Sequence, residues 1–178
     1  HRDLHSSPTR RSSDLHIVGP PLTPGFDNNY LQILQGRDHF VILNEQIHDA
    51  RTVFFDGRPQ PDDELRSWTG YSRGRWEGDT LVIETRNFNG LTQSFDSSGT
   101  SYDKVVTERL TRIADDTLEY EATVVDPKTF TDRFTLMFPM AKTDKRLYEF
   151  ACHEGNYSME IILGGARKEE ADALQAKQ

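Results

Sequence analysis

Residues 117–125, TLEYEATVV, decide the fold class of this chain. Apolar and polar residues alternate along them, so an extended strand carries the apolar ones on one face: Leu118, Tyr120, Ala122 and Val124. A period of two is typical of a half-buried antiparallel strand, because successive side chains of a strand point to opposite faces. We therefore expect a sheet with one face packed against a core.

Further β-rich runs lie on both sides of this strand. They predict strands at residues 30–35, 39–44, 51–55, 79–88, 104–113, 130–138 and 146–152. Turn signals separate several of them: Gly36-Arg37-Asp38, Asp56-Gly57, Glu77-Gly78 and Ala114-Asp115-Asp116. Successive strands joined by short turns predict an all-β fold, an antiparallel meander that forms a barrel or a sandwich.

Two segments carry helix signals. In residues 58–74, Pro59 and Pro61 precede acidic residues and then Trp68 and Gly70, which predicts one short inserted helix. Residues 156–178 predict a C-terminal helix, because Asn156 can cap it and strong helix formers fill residues 169–176. The Gly164-Gly165 pair is expected to bend or interrupt this helix.

The first residues have an unusual origin. Residues 1–15, HRDLHSSPTRRSSDL, match the translation of a common short-read sequencing adapter except at Ser7. We expect them to be an adapter-derived artefact without stable structure, which makes the chain a metagenomic fragment. Residues 16–178 then form a single β domain that is truncated at its N-terminus and has lost any signal peptide.

Composition narrows the partners of the chain. The 178 residues carry a formal net charge of −8. Such an acidic chain lacks the basic surface that binds nucleic acid or anionic membranes, so we expect neither partner. The longest apolar runs, such as residues 40–43, are too short for a membrane span. The sequence leaves the oligomeric state open.

A pair of opposite charges lies inside a predicted strand. Because side chains alternate, either Glu108 or Arg109 must point inward, and a buried charge needs a partner. Two interpretations fit: a ligand pocket with a few polar groups, or an inward Glu108 paired with an arginine of a neighbouring strand. The pocket interpretation adds Tyr120 and Tyr148 as lining residues, with Phe134 and Phe138 beside them.

A second candidate binding region surrounds a tryptophan. Arg73 and Arg75, next to Trp76, could clamp a carboxylate or stack on a ring. The alternative is a plain hairpin, in which Trp76 plugs one end of a barrel and the arginines pair with nearby acids. The complete set of candidate ligand-binding residues is Arg73, Arg75, Trp76, Glu108, Tyr120 and Tyr148.

Histidines and carboxylates cluster at two strand ends and form a candidate metal site. The residues are Glu45, His48, Asp49, His153 and Glu154. This donor set suits zinc, iron or manganese, or a general base with an orienting carboxylate. Alternatively, the histidines cap turns and the carboxylates are solvated or paired with Arg51. No cofactor beyond such a divalent metal is implied, and because no nucleophile, phosphate-loop or CxxC motif occurs, no catalytic residue is assigned.

Three stretches together resemble an uncharacterised family of exported bacterial proteins. They are residues 44–51, NEQIHDAR, residues 72–85, SRGRWEGDTLVIET, and residues 148–157, YEFACHEGNY. The resemblance covers nearly all of residues 18–170. The meander is also similar to lipocalin-like barrels, at the level of fold alone.

The resemblance has three implications. Relatives carry a signal peptide, so the protein is expected in the periplasm or secreted. They usually have a cysteine shortly before the position of Gly19, which makes Cys152 a candidate for a disulfide with a missing partner. They tend to have Asp where this chain has Tyr71.

Three functions are compatible with this sequence. The first is an exported β-barrel that binds a small-molecule or lipid-like ligand. The second is a metal-dependent or acid–base enzyme, a hydrolase or isomerase that uses His48 and His153. The third is an assembly module of the cell envelope.

Overall fold

The described part of the chain is a curled sheet followed by a helix. In a computed structural model, residues 19–25, 29–45, 49–91, 101–148 and 157–175 are described. Their elements are β1 (Leu31–Gln35), β2 (His39–Asn44), β3 (Ala50–Phe54), β4 (Tyr71–Glu77), β5 (Thr80–Arg86), β6 (Val105–Ala114), β7 (Thr117–Val125), β8 (Phe134–Ala141) and α1 (Ser158–Gln175). The strands follow one another in a single sheet that curls into a half-barrel. The all-β prediction is confirmed in its barrel-like form.

Neighbouring strands are antiparallel, except for β3 and β4. These two are parallel, with Val53 opposite Ser72 and Phe54 opposite Arg73. Parallel neighbours need a long connection that returns the chain to the start of the next strand. Residues 55–70 supply it, whereas residues 78–79 alone connect the antiparallel strands β4 and β5, and residues 115–116 alone connect β6 and β7.

The predicted helix within residues 58–74 is wrong, since these residues are fully described and contain no helix. Asp62 makes a single turn, in which its side chain accepts a hydrogen bond from the backbone of Glu64. The chain then pairs with the end of β5: the Ser67 N–H donates to Asn87 O, and the Asn89 N–H donates to Ser67 O. These long-range hydrogen bonds outweigh the local helix signal.

Two predicted strand boundaries also need correction. The strand predicted to begin at residue 130 begins at Phe134, because the Asp126 carbonyl accepts hydrogen bonds from Thr129 and Phe130 and folds them into a turn. A strand was predicted at residues 146–152; residues 146–148 are not in a strand, and residues 149–152 lie outside the described residues.

The core lies on the concave face of the sheet. Its largest group of buried residues comes from the N-terminal segment and from five strands: Leu22, Phe40, Ile42, Val53, Leu81, Ile83, Leu110, Tyr120 and Ala122. A second group joins Phe88, Val106 and Val124 near the start of β6. On the predicted apolar face of β7, Tyr120, Ala122 and Val124 are buried and Leu118 is partly buried.

The C-terminal helix is confirmed, and it runs without a break through Gly164-Gly165. All of its described side chains, residues 160–175, are exposed. Within the described residues, no helix combines the length and the apolar character that crossing a membrane requires. Residues 1–15, with the expectation of an artefact, lie outside the described residues, and so does Cys152, the candidate for a disulfide.

Candidate functional site

An open cleft of about 980 Å³ separates the two edge strands of the half-barrel. It runs between β1 and the end of β8, which do not pair in the described structure. Apolar side chains of β1, β7 and β8 form its walls: Leu31, Ile33, Leu118, Phe138 and Met140. All of these residues pack against the main core and are only partly buried, so the cleft exposes an edge of that core.

The alternation of β8 directs its side chains to the cleft. Phe138 and Met140 are half-buried, while Met137 and Pro139 are exposed. Because alternate residues of a strand point to opposite faces, Met140 faces the cleft and Met137 faces away from it. Phe134 and Leu136 share this face of β8 with Phe138 and Met140, and they are also partly buried.

Charged residues gather at one end of the cleft. Arg112, Asp115, Asp116 and Lys142 line it there, around the turn between β6 and β7 and the end of β8. The Arg112 guanidinium donates to the carbonyl oxygens of Ala114 and Asp115, at 3.3 and 2.6 Å. The cleft therefore combines apolar walls with one polar end.

The N-terminal segment, residues 22–24, forms the floor of the cleft. Leu22 is buried in the core and lines the cleft. Its backbone N–H donates to the Tyr120 hydroxyl at 2.9 Å, and that hydroxyl donates to Glu108 Oε1 at 2.9 Å. The floor of the cleft is thus linked through Tyr120 to a polar network inside the half-barrel.

A buried ion pair forms the centre of this network. Arg51 of β3 donates to both carboxylate oxygens of Glu108 in β6, at 2.5 and 2.8 Å. The Arg51 side chain passes β4 and β5, where Ser72 and Thr85 lie within 3.3 Å of its Nη1 and hydrogen-bond each other at 2.8 Å. Small hydroxyl residues leave room for the guanidinium and satisfy its donors.

Electrostatics favour a charged Arg51 and a neutral Tyr120. Burial opposes the charge of Arg51, but the carboxylate of Glu108 outweighs it and raises the pKa of Arg51. Burial, with the nearby Glu108, raises the pKa of Tyr120 well above its ordinary value. Tyr120 therefore keeps its proton and donates it to Glu108 in a hydrogen bond.

The network agrees in part with one of the two interpretations of Glu108. Glu108 points inward and pairs with an arginine, as the structural interpretation expects, although Arg51 lies across the half-barrel and not on an adjacent strand. Ser72, Thr85 and Arg51 were not among the candidate site residues. The alternation of residues 51–55 carried a signal for Arg51, since it places Arg51 on the same face as the buried Val53.

The other candidate ligand residues do not join this network. Arg73 and Arg75 alternate with the buried Ser72 and so lie on the opposite face of β4. Arg75 pairs with Glu77, which also pairs with Arg109, as the hairpin interpretation expects.

The aromatic candidates are also separated. Trp76 lies on the inner face of β4, where its ring meets the ring of Phe40 edge-on at 6.2 Å and remains half exposed. Tyr148 is exposed beyond β8, and Tyr120 is fully buried beneath the cleft. Phe138, which packs on Tyr120 at 5.1 Å, is the predicted lining residue that reaches the cleft itself.

The predicted metal site falls largely outside the described residues. His48, His153 and Glu154 are not described, so the site remains a prediction. Of its carboxylates, Asp49 buries one oxygen, Oδ2, without a hydrogen-bond partner. Burial raises the pKa of Asp49, and Arg51 partly opposes this effect. Within the described residues, no three His, Cys, Asp or Glu side chains are grouped to hold a metal ion.

Comparison with known proteins adds no assignment to this geometry. No family model, curated protein or solved structure matches the chain.

Proposed function

We propose that this protein binds a small apolar or lipid-like molecule in the cleft between β1 and β8. The carrying observation is the cleft itself, with a volume of about 980 Å³ and walls of half-buried apolar side chains. Sites for small molecules typically enclose roughly 300–1,000 Å³ and are lined mainly by hydrophobic groups. Covering the exposed edges of Ile33, Phe138 and Met140 with a ligand would remove apolar surface from water, which favours binding.

The distribution of charge suggests how the ligand lies. The charged lining residues gather at the end of β8 and at the β6–β7 turn, while the walls are apolar. A molecule with an apolar body and a polar end matches this division. Its polar end would lie beside Arg112 and Lys142, and its body between β1 and β8.

Hydrogen bonds hold the floor of the cleft in place. Leu22 is fixed to Tyr120, which in turn is fixed to the Glu108–Arg51 pair. A floor that is ordered before binding reduces the entropy that the ligand must offset. On this proposal the buried network positions the site and does not contact the ligand.

Export is a separate proposal. It is supported by the resemblance of residues 44–51, 72–85 and 148–157 to exported bacterial proteins, and it places ligand binding in the periplasm or outside the cell. Fractionation of cells that naturally produce the protein tests it. Recovery in the cytoplasmic fraction would contradict it.

The binding proposal is tested with a fluorescent amphiphile, dansyl-labelled undecanoate, and two variants of one strand. Met140→Glu puts a charge into the cleft wall, whereas Met137→Glu puts the same charge on the opposite face, where Met137 is 61% exposed. We expect Met140→Glu to weaken binding by about tenfold or more, since burying an unpaired charge costs well over 1.4 kcal/mol. Met137→Glu should leave the affinity unchanged.

Two results would contradict the binding proposal. One is equal affinity of the two variants, which would place the dye elsewhere. The other is that neither the wild type nor the double variant Ile162→Ser, Leu163→Ser in α1 binds the dye. Native mass spectrometry of the protein purified from its natural source would identify the molecule that it carries.

A further inference from the structure

The helix α1 carries several large apolar side chains that are exposed to solvent. Ile161, Ile162 and Leu163 are 71%, 63% and 47% exposed. Leu174, near its other end, is also exposed. Apolar side chains exposed in a group mark a surface that makes contacts elsewhere.

The apolar positions of α1 form a stripe. At 3.6 residues per turn, one side of the helix carries six apolar positions, interrupted by Glu170: Met159, Ile162, Leu163, Ala166, Ala173 and Leu174. Ile161 falls on the opposite side, with Lys168 and Asp172. An apolar stripe of this kind is typical of a helix that packs into an apolar groove.

The cleft offers such a groove at the point where the chain leaves the sheet. Its lining includes Ala141, Lys142 and Thr143, so the connection to α1 begins on the rim of the cleft. Residues 142–157 connect the end of β8 to α1, and a chain of this length can span about 50 Å when extended. A tethered segment meets its site at a high effective concentration, which favours the chain's own helix over a second copy.

We propose that α1 folds back over the cleft between β1 and β8 and closes it, with Ile162 and Leu163 against the apolar walls. The inference rests on the proposed function in one respect: the cleft that α1 covers is the cleft that binds the ligand. A helix held by a few apolar contacts opens readily. We therefore expect α1 to act as a cover that either is displaced by the ligand or closes over it.

The three methionines of the chain provide the measurement. Methionine labelled with carbon-13 in its methyl group gives separate NMR signals for Met137, Met140 and Met159. Met140 lies in the cleft wall, and Met137 lies on the other face of β8 as an internal control. The full chain is compared with the double variant Ile162→Ser, Leu163→Ser and with Ile161→Ser, all without ligand.

The cover makes a specific expectation for these signals. The double variant should shift the Met140 signal and leave Met137 unchanged, while Ile161→Ser should shift neither. A Met140 signal that is unchanged in the double variant, or that moves equally in Ile161→Ser, would overturn the proposal. So would a wild-type Met140 signal that depends on protein concentration, because a second copy would then occupy the cleft.

Ligand titration separates the cover from the proposed function. If α1 competes with the ligand, dansyl-labelled undecanoate should bind the double variant about tenfold more tightly than the wild type. If α1 closes over the ligand, the double variant should bind the dye more weakly and release it faster. Equal affinity and equal release rates would contradict a cover. A Met140 shift without any dye binding to the double variant would retain the cover and remove the ligand-binding function.

Discussion

The guanidinium of Arg51 and the carboxylate of Glu108 form a two-pronged ion pair inside the half-barrel, with contacts of 2.5 and 2.8 Å. Arg51 belongs to β3 and Glu108 to β6, so the pair bridges β4 and β5 on the concave face. It joins the first half of the sheet to the second half independently of the strand hydrogen bonds. The curvature that places β1 opposite β8 therefore depends on a polar contact as well as on apolar packing.

The first prediction concerns removal of one member of this pair. Glu108→Gln keeps the shape of the side chain but leaves the buried Arg51 without a counter-charge. We expect the free energy of unfolding to fall by about 3–5 kcal/mol, the usual cost of breaking a buried pair on one side. Urea unfolding followed by circular dichroism measures it.

The matched control replaces both members with apolar residues. Arg51→Met combined with Glu108→Leu removes the charges together, and it should recover most of the loss because no buried charge remains unpaired. If Glu108→Gln cost less than about 1 kcal/mol, comparable to an exposed pair, the assigned role of this ion pair would be wrong.

The second prediction tests the link between the network and the cleft floor. Tyr120→Phe removes the hydroxyl that accepts from the Leu22 N–H and donates to Glu108. The free energy of unfolding should fall by about 1–3 kcal/mol, since two buried groups lose a partner. The Leu22 amide should also exchange its hydrogen faster. Tyr102→Phe, on an exposed ring, should change neither quantity.

Local patterns in the sequence predicted much of the sheet. The alternation of residues 117–125 and the turn residues between strands are local signals, and they identified β7 and β2 with their observed bounds. The failures have a non-local cause. The helix predicted in residues 58–74 lost to hydrogen bonds between Ser67 and residues 87 and 89, which lie far along the chain.

The site was harder to predict for the same reason. Alternation correctly placed either Glu108 or Arg109 inward, but it could not choose Arg51 as the partner across the two intervening strands, β4 and β5. The cleft depends on β1 and β8 facing each other without pairing. That is a consequence of how far the sheet curls, which no single segment encodes.

The third prediction concerns the close approach of β4 to the core. A Cβ atom added at Gly74 would lie 2.6 Å from the ring of Phe55 and 2.9 Å from Val53. Gly74→Ala should therefore lower the free energy of unfolding by about 1–3 kcal/mol through overpacking. In Gly164→Ala the new methyl group meets open space, so that variant should show no such loss in the same urea titration.

A second buried cation, Lys104, lies apart from this network. Its ammonium is 3.4 Å from the Pro20 carbonyl oxygen and 3.9 Å from the centre of the Phe88 ring. Burial lowers its pKa to about 8, although the nearby Asp126 favours the charged form. An ordinary lysine has a pKa of 10.5, so keeping Lys104 charged costs the folded state about 3 kcal/mol at neutral pH.

This cost predicts a pH dependence with a definite sign. Between pH 8 and 10.5 the unfolded chain holds a proton on Lys104 that the folded chain has released. The free energy of unfolding therefore increases with pH in this range.

Lys104→Met keeps the apolar stem and removes the charge, so it should be more stable than the wild type at pH 7, by about 1–3 kcal/mol. That advantage should shrink as the pH approaches 10.5. Lys128→Met removes an exposed lysine, paired with Asp103, and is the matched control without a buried cation. A gap between Lys104→Met and the wild type that stays constant across this range would show that Lys104 is not buried as a cation.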